Sequence, residues 1–523
     1  MRLLFRLLII LALCLVSLAL AAGPAQAVDG GPYITLDPSD GVPGTNVTVH
    51  GGNFTSSEWV DVYYYRTATE TWLAEVRTTS GGNFNVTFTV PESYTGLHKV
   101  RAERSSTIYA DADFTVKPGL TVSPKKGPVS TNVTVEGHGF AEDEGSIDLR
   151  YYLDGNYTTI AANIEADVYG YWKKSFVIPS SSKGNHKIDA EGEESTFAQV
   201  KDTIFEVTPG ITLDKSSGSM GENITMTGNG FYAGERDITI LFAGNEVETD
   251  IRADAKGYWQ EEFQVPEMPK GTYTVTAEGE QTPKEAISAL SFSIMPDIVL
   301  SPDEGHVGTN LTVTGRGFAA SKVVLIMYEN EDTEVATDTT DNKGSFDVSF
   351  AVPASQHGQQ QVIARDAAGN NATAIFTMES VPPPVPELES PPEGSRVGFI
   401  GKVRPTFQWS AVSDPSGVYY SLQIAASSAV NTAGEFVNPI VSVDGLVETS
   451  YTLNEPNALS YGTYYWIVQA VDGAENASNW TAAHSFRAGL LPLWGFIAAI
   501  VAIVVLIGAL VYFLVIRKRT HYY

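Results

Sequence analysis

The residues best suited to chemistry by type and spacing are oxygen-bearing side chains in tight turns. Asp366 and Asn370 flank the turn Asp-Ala-Ala-Gly-Asn, and Asp472 and Asn476 flank the matching turn Asp-Gly-Ala-Glu-Asn. Asp414 begins a similar turn, Asp-Pro-Ser-Gly. Calcium prefers carboxylate and amide oxygens supplied by loops, so these five residues are calcium candidates. Asp and Asn also organise turns by bonding their own backbone, and that interpretation stays open.

Runs of tyrosine are the best candidates for ligand contact. Tyr64 is the middle residue of Tyr-Tyr-Tyr, and Tyr151 is followed by Tyr152. Neighbouring side chains on a strand point to opposite faces, so at least one ring of each run is expected to face solvent. We therefore take Tyr64 and Tyr151 as possible contacts for a sugar or a partner protein. Tyrosine is also an ordinary strand residue.

Catalytic signatures are missing from the sequence. It has no His-Glu-x-x-His, no phosphate-binding loop and no Gly-x-Ser-x-Gly nucleophile motif. The single cysteine, Cys14, precludes disulfides and a Cys-based metal site. His98 and His186 stand at equivalent positions of an internal repeat, where we expect a structural role. The sequence thus predicts a protein that is not an enzyme and has no cofactor other than possible calcium.

An internal repeat organises most of the chain. Four segments share an opening strand pattern such as Asn-Val-Thr-Val, followed by Gly-x-Gly-Phe or a close variant. The second half of each unit has Gly-aromatic or Gly-x-aromatic before a strand that ends at proline. Alternation of apolar and polar residues over short runs, separated by Gly, Pro, Asn and Asp, indicates β-sandwiches. The repeated phenylalanines, spaced by 86, 91 and 87 residues, are Phe54, Phe140, Phe231 and Phe318.

The four units resemble IPT/TIG domains, which are immunoglobulin-like sandwiches. The resemblance depends on the pattern P-x-x-G-x-x-G-T-x-V-T-V-x-G-x-G-F, which the fourth unit follows most closely. The third unit has Lys215 instead of the opening proline, the second has Ser130 instead of a glycine, and the first has Asn53 instead of the last glycine. The resemblance implies a fold and little about activity.

A fifth domain follows a proline-rich linker and resembles a fibronectin type III domain. Trp409 would be its core tryptophan, while Tyr464 and Trp466 share one strand face. The short proline-containing joints favour an extended array. The expected limits are 1–27 for a signal peptide, 28–118, 119–209, 210–296 and 297–379 for the repeats, 380–386 for the linker, 387–488 for the fifth domain, 493–516 for a transmembrane helix and 517–523 for a tail.

Both ends of the sequence indicate export to a membrane. Arg2 and Arg6 precede an apolar run and an Ala-Gln-Ala motif, a pattern typical of a cleaved signal peptide. Residues 493–516 contain no charge, and 517–519 are Arg-Lys-Arg. A span of this length crosses a bilayer, and basic residues stay on the cytoplasmic side. We predict a single-pass type I protein of the cell membrane with an extracellular ectodomain.

The net charge of the ectodomain limits the kinds of partner that it can bind. Of the 33 basic residues, five lie in the two ends, so the ectodomain holds 28 against 61 acidic residues, a net charge of −33. Such a surface repels nucleic acid, which leaves an extracellular protein or glycan as the expected partner. The sequence predicts all-β, tandem immunoglobulin-like sandwiches in an extended array with one C-terminal transmembrane helix, acting as a stalk or adhesion module. A receptor subunit with a membrane partner and a polysaccharide-binding envelope protein remain alternatives.

Overall fold

The structure is a computed structural model that describes residues 30–67, 69–153 and 155–516. The expected signal peptide (1–27) and tail (517–523) lie outside these residues. The described chain forms five β-sandwiches and one apolar helix, and it divides into two compact units, with the division passing through the third repeat. The all-β fold expected from the sequence is confirmed.

The first sandwich has eight strands in two sheets. They are β1 (Tyr33–Asp37), β2 (Asp40–Gly41), β3 (Asn46–Gly52), β4 (Trp59–Tyr65), β5 (Glu70–Arg77), β6 (Phe84–Thr89), β7 (Gly96–Ser105) and β8 (Ile108–Val116). A three-stranded sheet has the order β1-β3-β6, and a five-stranded sheet has the order β2-β8-β7-β4-β5. The pairs are antiparallel except for β2 with β8, which is parallel.

The second sandwich repeats this topology. Its strands are β9 (Gly119–Ser123), β10 (Lys126–Gly127), β11 (Asn132–His138), β12 (Ile147–Leu153), β13 (Asn156–Ile164), β14 (Trp172–Val177), β15 (Gly184–Glu191) and β16 (Thr203–Val207). The sheets have the orders β9-β11-β14 and β10-β16-β15-β12-β13. The segment 192–202 joins β15 to β16, whereas β7 and β8 are joined by a tight hairpin.

The third sandwich has the same strand order and one short 3₁₀ helix, Lys284–Ala286. Its strands are β17 (Gly210–Leu213), β18 (Ser217–Gly218), β19 (Asn223–Asn229), β20 (Ile238–Phe242), β21 (Asn245–Ile251), β22 (Trp259–Gln264), β23 (Gly271–Glu278) and β24 (Leu290–Ile294).

The fourth sandwich also has eight strands. They are β25 (Asp297–Ser301), β26 (Glu304–Gly305), β27 (Asn310–Arg316), β28 (Val323–Tyr328), β29 (Glu334–Thr339), β30 (Phe346–Ala351), β31 (Gly358–Asp366) and β32 (Asn371–Met378). The sheets have the orders β25-β27-β30 and β26-β32-β31-β28-β29.

The fifth sandwich shares the three-plus-five arrangement despite its different sequence. Its strands are β33 (Leu388–Ser390), β34 (Ser395–Val397), β35 (Thr406–Trp409), β36 (Val418–Ala425), β37 (Val441–Leu446), β38 (Ser450–Thr452), β39 (Gly462–Asp472) and β40 (His484–Ala488). The sheets have the orders β33-β35-β38 and β34-β40-β39-β36-β37. Trp409 is buried in its core, as the sequence predicts, and so is Trp466.

The repeated glycine and aromatic motifs meet inside each of the first four domains. In the second domain, Trp172 lies directly over Gly137, where an added Cβ would stand 2.1 Å from the indole ring. Phe140 packs edge-on against the same Trp172, with ring centroids 5.4 Å apart. Edge-to-face packing of this kind is favourable for aromatic pairs. The Gly-x-Gly-Phe and Gly-Tyr-Trp motifs are therefore two halves of one core contact.

The last described element is helix α1 (Leu493–Val511), which continues into one π-helical turn (Tyr512–Ile516). The span Leu493–Leu514 has a mean hydropathy of 3.0, and none of it is buried against the protein. Pro492 precedes the first turn, where a missing N–H costs nothing. The helix is long and apolar enough to cross a membrane.

Candidate functional site

Tyr64 and Tyr151 lie in the domain cores and not on the surface. Both side chains are fully buried. On β4, Val60, Val62 and Tyr64 alternate inward, and this parity places the neighbours Tyr63 and Tyr65 on the outer face. The prediction that Tyr64 and Tyr151 are exposed for ligand contact was therefore wrong.

Tyr151 and its repeat equivalent Tyr328 instead bond a serine across the core. The Tyr151 hydroxyl lies 3.0 Å from Ser181 Oγ, and the Tyr328 hydroxyl lies 3.1 Å from Ser355 Oγ. Burial raises the pKa of Tyr151 to about 12, with the serine hydrogen bond opposing the rise. A buried hydroxyl needs such a partner, so this pair stabilises the core.

The repeat histidines fix a corner between strands. His98 Nε2 donates to the carbonyl of Tyr94 at 2.8 Å, and His186 Nε2 donates to the carbonyl of Ser182 at 2.7 Å. In the fifth domain, Tyr464 donates its hydroxyl proton to the Ser460 carbonyl at 3.1 Å. This bond to a carbonyl four residues upstream resembles the tyrosine corner of immunoglobulin domains. This geometry supports the structural role that the sequence predicts for His98 and His186.

The Asp366 turn is held by its own hydrogen bonds. Asp366 is almost fully buried, and its Oδ1 accepts the N–H groups of Ala368 and Asn370, both at 2.9 Å. Its Oδ2 accepts the Ala319 N–H at 2.9 Å and the Asn370 amide at 2.7 Å. Burial alone would raise the pKa of Asp366, but the hydrogen bonds from Asn370 and Ala319 lower it. Four donors therefore occupy this carboxylate.

The Asp472 turn has the same pattern within the fifth domain. The fully buried Asp472 accepts N–H groups of Ala474 and Asn476 on Oδ1, both at 2.8 Å, and the Asn476 amide on Oδ2 at 2.8 Å. Asn476 also donates to the main-chain carbonyl of Glu379 at 3.2 Å. This turn therefore joins the fifth domain to the end of the fourth.

Three carboxylates gather at that joint. One oxygen from each of Glu379, Asp414 and Asp472 lies within 4.8 Å of the others. Ser416 donates a short hydrogen bond to Glu379, and the Ser416 N–H donates to Asp414 at 2.9 Å. Oxygens separated by this distance can share one calcium ion, whose bonds to oxygen are about 2.3–2.6 Å. The cluster is the place where the described residues best suit a divalent cation.

The sequence identified this cluster in part. It predicted Asp414 and Asp472 and the adjacent Asn476, while Asp366 and Asn370 form a separate turn in the fourth domain. Glu379 was missed. A signal existed, because its repeat equivalents directly after the last strand are Lys117, Thr208 and Met295, so only the unit before the fifth domain has an acid there.

One backbone hydrogen bond recurs where successive domains meet. The N–H group of the residue before a strand-opening glycine donates to the carbonyl of the phenylalanine in the next domain's Gly-x-Gly-Phe motif. The pairs are Thr95 to Phe140 at 2.9 Å, Lys183 to Phe231 at 2.8 Å and Lys270 to Phe318 at 2.9 Å, with His357 to Ala474 at 2.8 Å before the fifth domain.

Comparison with known families agrees with this architecture. A family model described as the IPT/TIG domain matches residues 207–289, and one described as the bacterial Ig domain matches residues 301–379. The chain therefore contains IPT/TIG and bacterial immunoglobulin-like domains. The fourth unit, whose opening follows the IPT/TIG pattern most closely, is matched by the bacterial Ig description. No protein of curated function matches the chain.

Solved structures with low identity are also similar. A tetra-tandem repeat from the extending region of a large adhesion protein is 16% identical, covers 68% of this chain and all of its own, and has a TM-score of 0.18. The eight N-terminal Ig domains of the Down Syndrome Cell Adhesion Molecule are 13% identical over 88% of this chain and 60% of that one, with a TM-score of 0.20. Fibronectin(III)-like modules of Clostridium thermocellum CbhA are 17% identical over 38% of this chain and 95% of theirs, with a TM-score of 0.18.

Proposed function

We propose that this chain is a non-enzymatic cell-surface protein that helix α1 anchors in a membrane and that presents its β-sandwich domains for adhesion or ligand binding. The observation that carries the proposal is the repeated joint. Each of the four pairs of successive domains shares a hydrogen bond of 2.8–2.9 Å from the same type of position. A chain that repeats one docking contact is built to hold modules in series.

Helix α1 supports the anchoring part of the proposal. It begins five residues after the last strand of the fifth domain, its mean hydropathy is 3.0, and no part of it packs on the protein. An unburied apolar helix of 22 residues is stable in lipid and costly in water. The basic residues 517–519 favour a cytoplasmic C-terminus and an exterior array.

The use of polar side chains supports a role without catalysis. The histidines and carboxylates that first suggested chemistry are engaged in holding turns and corners, as His98, His186, Asp366 and Asp472 illustrate. A general acid or base must reach a substrate proton, and Asp366 and Asp472 are too buried to do so.

Two narrower functions fit the same architecture. A receptor subunit would signal through a membrane partner of α1. A polysaccharide-binding envelope protein would carry a saccharide site on a domain surface. Outward aromatic residues of the first domain favour the second possibility.

The proposal is tested by locating the full chain on intact cells. An epitope tag placed after residue 28 is expected to be accessible to antibody on unbroken cells, while a tag at residue 523 is expected to need permeabilised cells. A variant that stops after Leu491 should be released into the medium. Retention of that variant in the membrane, or a C-terminal tag accessible from outside, would contradict the proposed anchor and topology.

A further inference from the structure

The outer face of the five-stranded sheet in the first domain has an unusual set of side chains. Trp59, Asp61, Tyr63 and Tyr65 point outward along β4. Trp72 on β5 stands directly opposite Tyr63. Trp59 and Trp72 are 55% and 57% exposed. Because outward residues repeat about every 6.6 Å along a strand, the rings on β4 form a row along that strand, with Trp72 beside Tyr63.

Hydrogen bonds hold the rings in place. Trp72 donates its indole N–H to Asp61 Oδ1 at 2.9 Å, and Tyr65 donates its hydroxyl proton to Glu70 at 3.0 Å. A fixed aromatic surface binds with a smaller loss of side-chain entropy than a mobile one. We call the outward residues Trp59, Asp61, Tyr63, Tyr65 and Trp72 the aromatic row.

The next strands supply charge that is already neutralised. Arg101 on β7 donates to Asp111 through Nε at 2.7 Å and Nη2 at 3.0 Å, and its guanidinium lies 4.0 Å from the centre of the Tyr109 ring. Lys99 bonds the same Asp111 at 3.2 Å. Hydrogen bonds from Arg101 hold the pKa of Asp111 below its ordinary value despite partial burial. Lys99 and Arg101 on β7 are therefore paired with an acid, while Arg77, which stands opposite Trp59 on β5, donates its Nε–H to the Ser57 carbonyl at 3.1 Å.

The charges on this face of the sheet indicate which kind of ligand the aromatic row can bind. An acidic polymer would meet Asp61, Glu70 and Glu75, three carboxylates that outnumber Arg77, the one cation on β5. Protein interfaces deplete Asp and Glu from their centres, whereas this face places them between the rings. Ring faces are negative and pack against polarised C–H groups, and carboxylates accept hydroxyl hydrogen bonds. An uncharged sugar offers both.

The other repeats lack this surface. Each has a buried core aromatic equivalent to Tyr64, and the residues on either side of it differ. They are Tyr63 and Tyr65 in the first domain, Arg150 and Tyr152 in the second, Leu241 and Ala243 in the third, and Met327 and Glu329 in the fourth, and of these Leu241 and Met327 are buried.

In the second domain the chain itself covers the equivalent ring. Phe197, from the segment 192–202, lies 6.4 Å from Tyr152 between ring centres. Lys187 contacts both rings, at 5.2 Å from Tyr152 and 4.6 Å from Phe197. The first domain has a tight β7–β8 hairpin instead of this segment, so its aromatic row stays open.

We propose that the aromatic row binds an uncharged polysaccharide, with Trp72 and Tyr63 stacking on the sugar rings and Asp61 accepting a sugar hydroxyl. The inference rests on the proposed function, because it assigns the ligand class of an exposed adhesion module. The sequence suggested Tyr64 as the ligand contact, but Tyr64 is buried, and the exposed surface is formed by its neighbours Tyr63 and Tyr65.

The test uses the full chain in detergent micelles and a panel of immobilised polysaccharides. The neutral probes are β-glucan, xylan, mannan and chitin, and the acidic probe is polygalacturonate. We expect saturable binding to at least one neutral probe and weaker binding to polygalacturonate. Trp72→Ala and Tyr63→Ala should each weaken that binding about tenfold, close to 1.4 kcal/mol. Leu325→Ala, an outward position of the fourth domain, should leave it unchanged.

A second measurement needs no variant. Trp59 and Trp72 are half-exposed, so a bound neutral oligosaccharide should reduce acrylamide quenching of the tryptophan fluorescence of the wild-type chain. The assignment is overturned if no neutral probe is retained or if Trp72→Ala binds the neutral probe like the wild type. It is also overturned if polygalacturonate binds more tightly than the neutral probes, or if the surface around Trp72 binds a protein instead of a sugar. Any of these results on a chain that is displayed on cells would leave the proposed function standing.

Discussion

The N–H group of Thr95 in the first domain donates to the carbonyl of Phe140 in the second at 2.9 Å. Gly139, next to Phe140, has a φ of +70°, and a Cβ there would stand 2.6 Å from the Lys117 carbonyl of the linker. In the first domain the equivalent residue is Asn53, which is exposed and has a φ of 60°. Asparagine tolerates this backbone conformation, so the glycine in the second domain is required by the joint and not by the turn.

Gly139→Asn should therefore loosen the joint between the first two domains. The new side chain clashes with the linker while keeping an acceptable backbone, so hydrogen–deuterium exchange at the Thr95 amide should become faster. Asn53→Gly is the matched control, and exchange at Thr95 should not change. Unaltered protection of Thr95 in Gly139→Asn would contradict the account of the joint.

The buried tyrosines lead to a prediction at high pH. Burial raises the pKa of Tyr64 and of Tyr151 to about 12, from an ordinary value of 10.0. An acid whose pKa is raised by folding stabilises the folded state below pH 10, and this contribution is lost as the pH rises through 12. We expect the unfolding temperature to fall over that range. Tyr151→Phe should reduce the fall and cost roughly 1 kcal/mol at pH 7, because the bond to Ser181 is lost.

The third domain provides a comparison for that measurement. Its equivalent residues are Phe242, which is fully buried, and Met268 in place of the serine. Phe242 lacks a hydroxyl to ionise, so Phe242→Leu should leave the slope of stability against pH unchanged between pH 10 and 12. An equal slope in the wild type and in Tyr151→Phe would contradict the assignment to buried tyrosine.

The alternation of apolar and polar residues predicted the strands, because a sheet with one buried face has apolar residues at every second position. Val47 and Val49 of β3 are fully buried while the residues between and beside them are not. The same rule could have placed Tyr64 correctly, since Val60 and Val62 share its parity and are apolar. The prediction was wrong because the three tyrosines were considered apart from the strand to which they belong.

Contacts between domains could not be predicted in this way. Glu379 reaches Asp414 and Asp472 through the packing of the fourth domain on the fifth. The acid after the last strand is visible in the sequence, but the residues that it approaches are not. The loop 192–202 is similar, because its length is visible in the sequence but the packing of Phe197 on Tyr152 depends on how the loop folds back.

Asp189 should make the stability of the second domain depend on pH. It is fully buried on β15, neither oxygen accepts a hydrogen bond, and Lys187 Nζ is 3.7 Å away. Burial, with the nearby charge of Asp202, raises the pKa of Asp189 to about 6, against the opposing effect of Lys187 and Arg150. A raised pKa means stability that is full below the ordinary value of 3.8 and lost as pH rises through about 6.

Asp189→Asn should remove this loss, so its unfolding temperature at pH 7 should exceed that of the wild type. The two proteins should be equal near pH 4. Asp297→Asn, at an exposed position of the fourth domain, is the control and should follow the wild type at both values. Calorimetry at pH 4, 5, 6 and 7 gives the comparison, and a wild-type stability that rises from pH 4 to 6 by as much as in Asp189→Asn would contradict it.

The carboxylate cluster at the last joint gives a test of the calcium expectation. Glu379, Asp414 and Asp472 place three negative charges within 4.8 Å, and like charges this close repel unless a cation or a proton intervenes. In the presence of a chelator, the full chain with Glu379→Gln should unfold at a higher temperature than the wild type, because the substitution removes one negative charge and keeps the oxygen that Ser416 bonds. In millimolar calcium the wild type should gain stability and Glu379→Gln should gain much less.

Glu389→Gln, an exposed position on β33, serves as the control and should respond to calcium like the wild type. Magnesium separates a calcium site from simple screening, since it demands a tighter octahedral shell, and should stabilise the wild type less than calcium at equal concentration. If calcium leaves the unfolding temperature of the wild type unchanged, the turn hydrogen bonds of Asp414 and Asp472 are their whole role. The repulsion among the three acids would then still separate Glu379→Gln from the wild type in chelator.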